Sequence, residues 1–333
     1  MPPPIPRVTV IGTGAMGTLC ALILAERGSR VTLWGRSSDR VAALHRDRRN
    51  DRYLPGHHFP ESLTVTGNAH EAFSDPDLIV SAVPCQYIRN VWQRLAAATP
   101  RGVPVVSVAK GIEVETLLLP TAVISQELGD VPLACLSGPS IAPEIAKKKP
   151  ATVVLASSDA DVARRIQEGF STEYFRVYSS KDLIGVEVAG GAKNVIALAA
   201  GICDGLECGE NAKASLITRG LVEITRLGVA LGARPETFAG LAGMGDLITT
   251  CASRVSRNRT AGERIGRGAS ADQVVADTPS VIEGIPTTRS VLALAGRSGV
   301  EMPIVAAVAS VLFDGHRPQD AIQSLMTRRL HAE

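Results

Sequence analysis

Short apolar runs alternate with amphipathic stretches through the first half of the chain. Residues 7–11 and 30–34 are rich in β-branched side chains, and the helical stretch 15–27 between them is followed by Gly28. A glycine at this position is typical of a helix end. The strand–helix–strand unit takes about thirty residues, the usual length of a βαβ crossover.

The alternation continues to about residue 182. The charged stretch 36–48 predicts a helix with Ser37 or Ser38 as its N-cap. Continuous apolar runs between turn residues are typical of strands buried on both faces of a parallel sheet. Such runs occupy residues 78–83, 103–109, 133–136, 151–156 and 175–178. The pattern predicts an α/β fold with a doubly wound sheet.

After residue 182 the strand-like runs stop. Long segments rich in Ala, Leu, Ile and Gly follow at residues 185–205, 211–231, 235–241 and 286–299. They predict an all-helical C-terminal domain. We therefore expect two domains, residues 1–182 and residues 183–333.

Composition excludes several classes of function. The net charge of +2 is too weakly basic to predict a nucleic-acid partner. The N-terminus lacks the pattern of a signal peptide, and the apolar run 303–313 is about half of a membrane span. The six cysteines are scattered, without CxxC or zinc spacing. We expect a cytoplasmic protein with reduced thiols, no membrane span and no metal site.

Gly12, Gly14 and Gly17 form G-x-G-x-x-G between the first strand and the first helix. In this context the motif predicts a dinucleotide site, because the glycines allow a tight turn, close approach of a diphosphate, and helix–strand contact. The helix N-terminus favours the negative charge. The first domain is therefore predicted to be a Rossmann domain that binds NAD(H) or NADP(H).

Arg36 follows the second predicted strand, where an NAD-selective site usually has an acidic residue. Asp39 lies further on, within the predicted helix. We expect Arg36 to favour the 2′-phosphate of NADP(H), with NAD(H) also used. The alternative is that Arg36 is a surface arginine.

Lys193 lies on the helical stretch 186–200 among small and apolar residues. Lysine is seldom buried without a partner, and burial lowers its pKa, which makes it a usable proton donor near neutral pH. The alternative is a lysine that reaches solvent from the edge of the helix.

Two other charged residues stand at turns. Lys110 ends the apolar run 103–109, at the end of a strand where ligands collect in α/β sheets. Asp246 follows a glycine-rich turn and either caps a helix or orients Lys193. Downstream, three arginines at positions 254, 257 and 259 suggest a phosphate clamp or a solvated basic loop.

Eight short motifs, in this order, resemble the bacterial-type NAD(P)-dependent glycerol-3-phosphate dehydrogenase family over residues 7–325. They are VIGTGAMGT (10–18), AKGIE (109–113), SGPS (137–140), GGAKNVIA (190–197), NAKASLITRG (211–220), GMGDL (243–247), SRNR (256–259) and VIEG (281–284). The resemblance implies interconversion of dihydroxyacetone phosphate and sn-glycerol 3-phosphate by hydride transfer, feeding glycerophospholipid synthesis, and makes a homodimer plausible.

The resemblance also implies roles for single residues. Lys193 would be the proton donor, supported by Lys110 and Asp246. Substrate-binding positions would be Lys110, Gly138, Ser140, Asn194, Asp246, Thr250, Ser256, Arg257 and Asn258, with Arg257 on the phosphate. Cofactor-binding positions would be Gly12, Gly14, Ala15, Met16, Gly17, Arg36, Lys110, Ala142, Arg257, Val281 and Glu283.

Two residues depart from the family pattern. Ile141 stands where the family usually has Phe, and Ser215 stands where it has Ala. Neither change removes a charge, although Ile141 alters a predicted pocket wall. Two other functions stay open: a related two-domain dehydrogenase for a 3-hydroxy acid or ketopantoate-type substrate, and a non-catalytic NAD(P)-binding regulator.

Overall fold

The structure is a computed structural model that describes residues 3–328. Its strands all lie before residue 181. They are β1 Arg7–Ile11, β2 Arg30–Trp34, β3 Arg49–Asn50, β4 Leu54–His58, β5 Leu63–Thr66, β6 Leu78–Ser81, β7 Val105–Ser107, β8 Leu133–Ser137, β9 Ala151–Ala156 and β10 Phe175–Ser180. Eight of these strands form one sheet, in the order β10-β9-β8-β7-β6-β1-β2-β5. The doubly wound sheet predicted from the sequence is confirmed.

Strand β1 lies inside the sheet, with Val10 opposite Leu33 on one side and Val80 on the other. All three side chains are fully buried, which explains why these strands read as continuous apolar runs. The expectation of parallel pairing is wrong at one place, because β9 runs antiparallel to β8. The sequence gives no sign of this direction, because an apolar run has the same pattern whichever way the strand runs.

Helices cover this sheet and make up part of its core. They are α1 Ala15–Glu26, α2 Ser38–Asp47, α3 Ala69–Ala72, α4 Ile88–Leu95, α5 Pro120–Leu128, α6 Ala142–Ala146 and α7 Ala160–Phe170. Single 3₁₀ turns lie at Cys85–Tyr87 and Ala96–Ala98. The short hairpin of β3 and β4 and the edge strand β5 were not predicted, because their sequences are polar and contain no long apolar run.

The rest of the described chain is helical. Its helices are α8 Leu183–Gly205, α9 Glu210–Ala230, α10 Pro235–Ala239, α11 Asp246–Ala252, α12 Arg257–Gly266, α13 Ala271–Ala276, α14 Gly284–Ser298, α15 Pro303–Phe313 and α16 Pro318–Met326. A π-helical turn, Leu241–Gly245, joins α10 to α11. The sequence pattern predicted α8, α9, α10 and α14 and an apolar helix after Asp246, but it did not separate the shorter helices.

Helix α8 is the centre of the helical core. It is long and apolar enough to cross a membrane, but 89% of its most apolar window is buried inside the protein. The apolar run 303–313 noted in the sequence is shorter, about half of a membrane span. The burial of α8 identifies it as a core helix of this fold.

The chain divides into two compact units. The first comprises the described residues up to Ala109 together with Pro120–Val186, and the second comprises Lys110–Leu119 together with the described residues from Glu187 onward. The predicted division at residue 182 missed one feature, because the segment 110–119 packs with the helical unit. That segment brings Lys110 into the helical unit.

Candidate active site

The glycine turn after β1 lets other atoms approach the backbone closely. Gly12 has a φ of +113°, and a Cβ there would lie 2.6 Å from the carbonyl oxygen of Ala82. A Cβ on Gly17 would lie 2.0 Å from the carbonyl oxygen of Gly12. In contrast, a Cβ on Gly14 would meet no atom of the described chain within 4 Å. The turn therefore leaves open space beside Gly14, where a diphosphate can approach the backbone.

Helix α1 begins directly after this turn. Its first intrahelical bond runs from the Thr18 amide to the Gly14 carbonyl oxygen, at 2.9 Å. Gly14 is the N-cap residue of α1, and it has no side chain that could bond to the first amides of the helix. The amides of Ala15, Met16 and Gly17 are therefore available to an anion at the positive end of the helix dipole.

Asn50 stabilises the glycine turn through hydrogen bonds. It was not predicted from the sequence. Its buried Nδ2 donates to the Thr13 carbonyl oxygen at 2.9 Å and to Thr18 Oγ1 at 2.8 Å. Asn50 lies in a charged stretch that contains no motif, so no local signal identifies it. Only the folding of β3 against the turn brings it there.

Arg36 is exposed and lies two residues after Trp34, the last residue of β2. Its guanidinium carbon lies 5.8 Å from the centroid of the Tyr87 ring, a distance at which a cation is attracted to an aromatic face. Asp39 lies in the first turn of α2, beyond the N-cap Ser37. The first charged residue after β2 along the chain is therefore Arg36.

In the second unit, Lys110, Lys193 and Asp246 form a charged cluster. Asp246 Oδ2 lies 2.6 Å from Lys110 Nζ, and Asp246 Oδ1 lies 2.6 Å from Lys193 Nζ. Lys193 also donates to Thr250 Oγ1 at 2.5 Å. Asp246 is only 2% exposed and Lys193 only 5%, so the predicted contact between them is a buried ion pair.

Burial and charge act in opposite directions on these groups. Desolvation lowers the pKa of Lys193 to about 8, although the carboxylate of Asp246 opposes this shift. Burial alone would raise the pKa of Asp246, but the two ammonium groups outweigh it and lower that pKa. The cluster thus keeps a charged carboxylate beside an ammonium that can give and take a proton near neutral pH.

A chain of hydrogen bonds connects this cluster to α12 and α14. Asn194 Nδ2 donates to the Lys110 carbonyl oxygen at 3.1 Å, and Asn258 Nδ2 donates to Asn194 Oδ1 at 2.9 Å. The Gly284 amide donates to Asn258 Oδ1 at 2.8 Å. Both asparagines are buried, so the start of α12 is tied to the helix that carries Lys193.

The three predicted clamp arginines have different environments. Arg254 and Arg257 are exposed, and Arg257 Nη1 donates to the Val281 carbonyl oxygen at 2.8 Å. Ser256 caps α12, since its Oγ accepts from the amide of Arg259 at 3.3 Å. The side chain of Arg259 is buried and forms ion pairs with Asp204 and Glu263, unlike the other two arginines.

The remaining predicted contacts lie at the ends of elements. Gly138, with a φ of +126°, follows β8, and Ser140 Oγ donates to its carbonyl oxygen at 2.9 Å. Ala142 begins α6, with the unusual Ile141 at its N-cap. In the second unit, Val281 and Glu283 immediately precede α14. Within residues 3–328, no group of three or more His, Cys, Asp and Glu side chains is arranged to hold a metal.

A Rossmann-type sheet with an open glycine turn, together with a buried lysine whose pKa is lowered towards neutral, is typical of NAD(P)-dependent dehydrogenases. Family models agree with this class. The model described as NAD-dependent glycerol-3-phosphate dehydrogenase N-terminus matches residues 7–163, and the corresponding C-terminus matches residues 182–323. The chain belongs to the NAD-dependent glycerol-3-phosphate dehydrogenase family.

Individual relatives agree with this membership. The chain is 48% identical to the NAD(P)+-dependent glycerol-3-phosphate dehydrogenase of Chlorobium limicola over 325 residues, covering 97% of this chain and 98% of the relative. The crystal structure of glycerol-3-phosphate dehydrogenase from Coxiella burnetii superposes with a TM-score of 0.94 at 38% identity, covering 98% of this chain and 100% of that one.

A ketopantoate reductase of the PanE/ApbA family from Ralstonia eutropha is a more distant neighbour. It has a TM-score of 0.58 at 14% identity and covers 96% of this chain and 99% of its own. Such a likeness shows a shared fold. It does not support the alternative ketopantoate-type function that the sequence left open.

Proposed function

We propose that this chain reduces dihydroxyacetone phosphate to sn-glycerol 3-phosphate with NADPH, and less efficiently with NADH. The observation that carries the proposal is the buried ammonium of Lys193, bonded to Asp246 and with a pKa of about 8. A carbonyl reduction needs one proton for the carbonyl oxygen, and a group with this pKa supplies it near neutral pH.

The glycine turn and the first turn of α1 would hold the nucleotide's diphosphate. The open space beside Gly14 and the available amides of Ala15, Met16 and Gly17 fit such a group. Arg36 would bind the 2′-phosphate of NADP(H). The nicotinamide nucleotide, when bound, supplies the hydride.

Lys193 would donate its proton to the C2 carbonyl oxygen of dihydroxyacetone phosphate. Asp246 holds both Lys193 and Lys110 at 2.6 Å, so it would keep the two ammonium groups together although they repel each other. In the oxidation direction, neutral Lys193 would take the proton from the hydroxyl group. Asn194 and Thr250 would complete the polar surroundings of the reacting carbonyl.

The substrate phosphate would lie at the beginning of α12. The first-turn amides of this helix carry partial positive charge, and Ser256, Arg257 and Asn258 add side-chain donors. Arg257 is exposed and can reach a phosphate bidentately. We also assign Gly138 and Ser140 to the substrate, and Ala142, Val281 and Glu283 to the cofactor.

The proposal includes a cellular setting. We infer a cytoplasmic homodimer whose product feeds glycerophospholipid synthesis, in accordance with the family resemblance. Light scattering on the purified protein measures the oligomeric state.

A substrate panel tests the proposed reaction. With NADPH, we expect the purified chain to reduce dihydroxyacetone phosphate and to leave ketopantoate and 3-oxo acids unchanged. The rate of reduction should fall above about pH 8, because Lys193 then loses its proton, whereas the rate of oxidation should rise up to that pH. Preferred reduction of an unphosphorylated acid, or no turnover at all, would contradict the proposal.

A further inference from the structure

Helices α8 and α12 touch through their backbones. A Cβ on Gly201 of α8 would lie 2.0 Å from the carbonyl oxygen of Arg259. On α12, a Cβ on Gly262 would lie 2.0 Å from the carbonyl oxygen of Leu198. The two helices can approach this closely only because no side chain stands between them at these positions.

The contacts also fix the direction of the two helices. They advance by four residues on each helix, through the pairs Asn194–Asn258, Leu198–Gly262 and Ile202–Gly266. Four residues are about one turn, so α8 and α12 run in the same direction where they touch. The first turn of α12 therefore lies beside Asn194, the residue next to Lys193.

A buried ion pair joins the same two helices. Arg259 Nη2 lies 2.6 Å from Asp204 Oδ2, and the two side chains are only 11% and 17% exposed. Arg259 belongs to the first turn of α12, and Asp204 to the last turn of α8. Arg259 also pairs with Glu263 of its own helix, at 3.1 Å, but only its bond to Asp204 reaches α8. Because moving the first turn of α12 away from α8 would break this largely buried bond, the pair opposes that movement.

Asp204 holds a second cation from another helix. Lys213 Nζ of α9 lies 2.8 Å from Asp204 Oδ1. Lys213 and Arg259 thus share one carboxylate, but only Arg259 lies in the turn that carries Arg257 and Asn258. The chain therefore contains a matched pair of cations, one on the proposed phosphate-binding helix and one outside it.

We propose that Arg259 and Asp204 are positioning residues, which hold the first turn of α12 so that Arg257 and Asn258 meet the substrate phosphate. The inference rests on the proposed function. It gives Arg259, the second arginine of the motif SRNR, a role that does not require contact with the phosphate. Arg259 acts through the helix, and its neighbours Arg257 and Asn258 act on the substrate.

The comparison of Arg259→Met with Lys213→Met tests this inference. Both changes remove one cation from Asp204, so both should lower the melting temperature. Arg259→Met should raise KM for dihydroxyacetone phosphate by about tenfold or more. Lys213→Met should leave it within about twofold, because α9 carries none of the proposed phosphate ligands. Arg259→Lys, which keeps the charge, should recover part of the lost affinity.

KM for NADPH and KM for unphosphorylated dihydroxyacetone are measured on the same variants, with circular dichroism to show that each is folded. An equal rise of KM for dihydroxyacetone phosphate in Arg259→Met and Lys213→Met would overturn the inference, as would a folded Arg259→Met within about twofold of wild type. If Arg259→Met does not fold, Asp204→Asn replaces it and must raise the same KM. If the wild-type protein does not reduce dihydroxyacetone phosphate, the proposed function is contradicted, and not the positioning role of Arg259 alone.

Discussion

The glycine turn of the first unit and the charged cluster of the second unit differ in what they are made of. The turn offers backbone amides and empty space, and its glycines are needed because a Cβ at Gly12 or Gly17 would meet a carbonyl oxygen. The cluster offers buried side chains, with Asp246 held between two ammonium groups. We therefore expect the turn to be disrupted by one added methyl group, and the cluster to be disrupted by the loss of one charge.

The largest expected effect is in the cluster. Lys193→Met should lower kcat by about 100- to 10,000-fold, the usual contribution of a general acid, and should leave NADPH binding unchanged. Steady-state kinetics and a fluorescence titration with NADPH measure the two effects. Lys213→Met is the matched control, since Lys213 is a largely buried lysine whose carboxylate partner is Asp204. If Lys193→Met retains more than about a tenth of kcat, Lys193 is not the proton donor.

The sequence predicts these two regions to different degrees. Gly12, Gly14 and Gly17 are neighbours along the chain, so their spacing after a strand already predicts the turn. The residues of the cluster are far apart: Asp246 is 136 positions from Lys110 and 53 from Lys193. Each was singled out by its local pattern or by the family resemblance, and their meeting depends on how helices pack. Their catalytic roles stay predictions.

Local sequence patterns could not predict three other details of the structure, for the same reason. The antiparallel direction of β9 leaves no trace in the sequence, because an apolar run has the same pattern in either direction. Asn50 reaches the glycine turn from a strand of two residues. The ion pair between Asp204 and Arg259 links two helices, and the motif that contains Arg259 gives no sign of it. In each case the tertiary partner, and not the residue type, decides the outcome.

The next largest effect should appear at α12. Arg257→Ala should raise KM for dihydroxyacetone phosphate by about 10- to 100-fold, because a charge-assisted hydrogen bond contributes about 1.5–3 kcal/mol. kcat should fall as well, since phosphate binding helps to orient the carbonyl. Unphosphorylated dihydroxyacetone should be affected far less. Arg226→Ala, which removes an exposed arginine from α9, is the control. If Arg257→Ala weakens the reaction of both substrates equally, Arg257 does not bind the phosphate.

A smaller effect should follow from filling the space in the glycine turn. Gly14→Ala should leave the melting temperature unchanged, because the new Cβ meets no atom of the described chain within 4 Å. It should raise KM for both NADPH and NADH by about tenfold, since the methyl group would occupy the place of the diphosphate and overpacking costs about 1–3 kcal/mol. Gly296→Ala in α14, where a Cβ is equally free, should change neither quantity. Unchanged KM values in Gly14→Ala would mean that the diphosphate lies elsewhere.

The smallest effect concerns Arg36, the one charged side chain proposed for the cofactor site of the first unit. Its guanidinium would bind the 2′-phosphate of NADP(H), a charge-assisted bond that contributes about 1.5–3 kcal/mol when shielded from water. Because Arg36 is exposed, solvent and salt should reduce the preference for NADPH over NADH to about tenfold. Arg36→Asp should reverse this preference, mainly by raising KM for NADPH, because a carboxylate repels the phosphate and accepts hydrogen bonds from the free 2′-hydroxyl of NADH. Arg40→Asp introduces the same change of charge in the first turn of α2. It separates a local contact at Arg36 from the overall electrostatic field of the protein. The measurement is kcat/KM for both cofactors at fixed low salt. A wild type that favours NADH, or equal shifts in Arg36→Asp and Arg40→Asp, would show that Arg36 is a surface residue and that the first unit binds its cofactor through backbone alone.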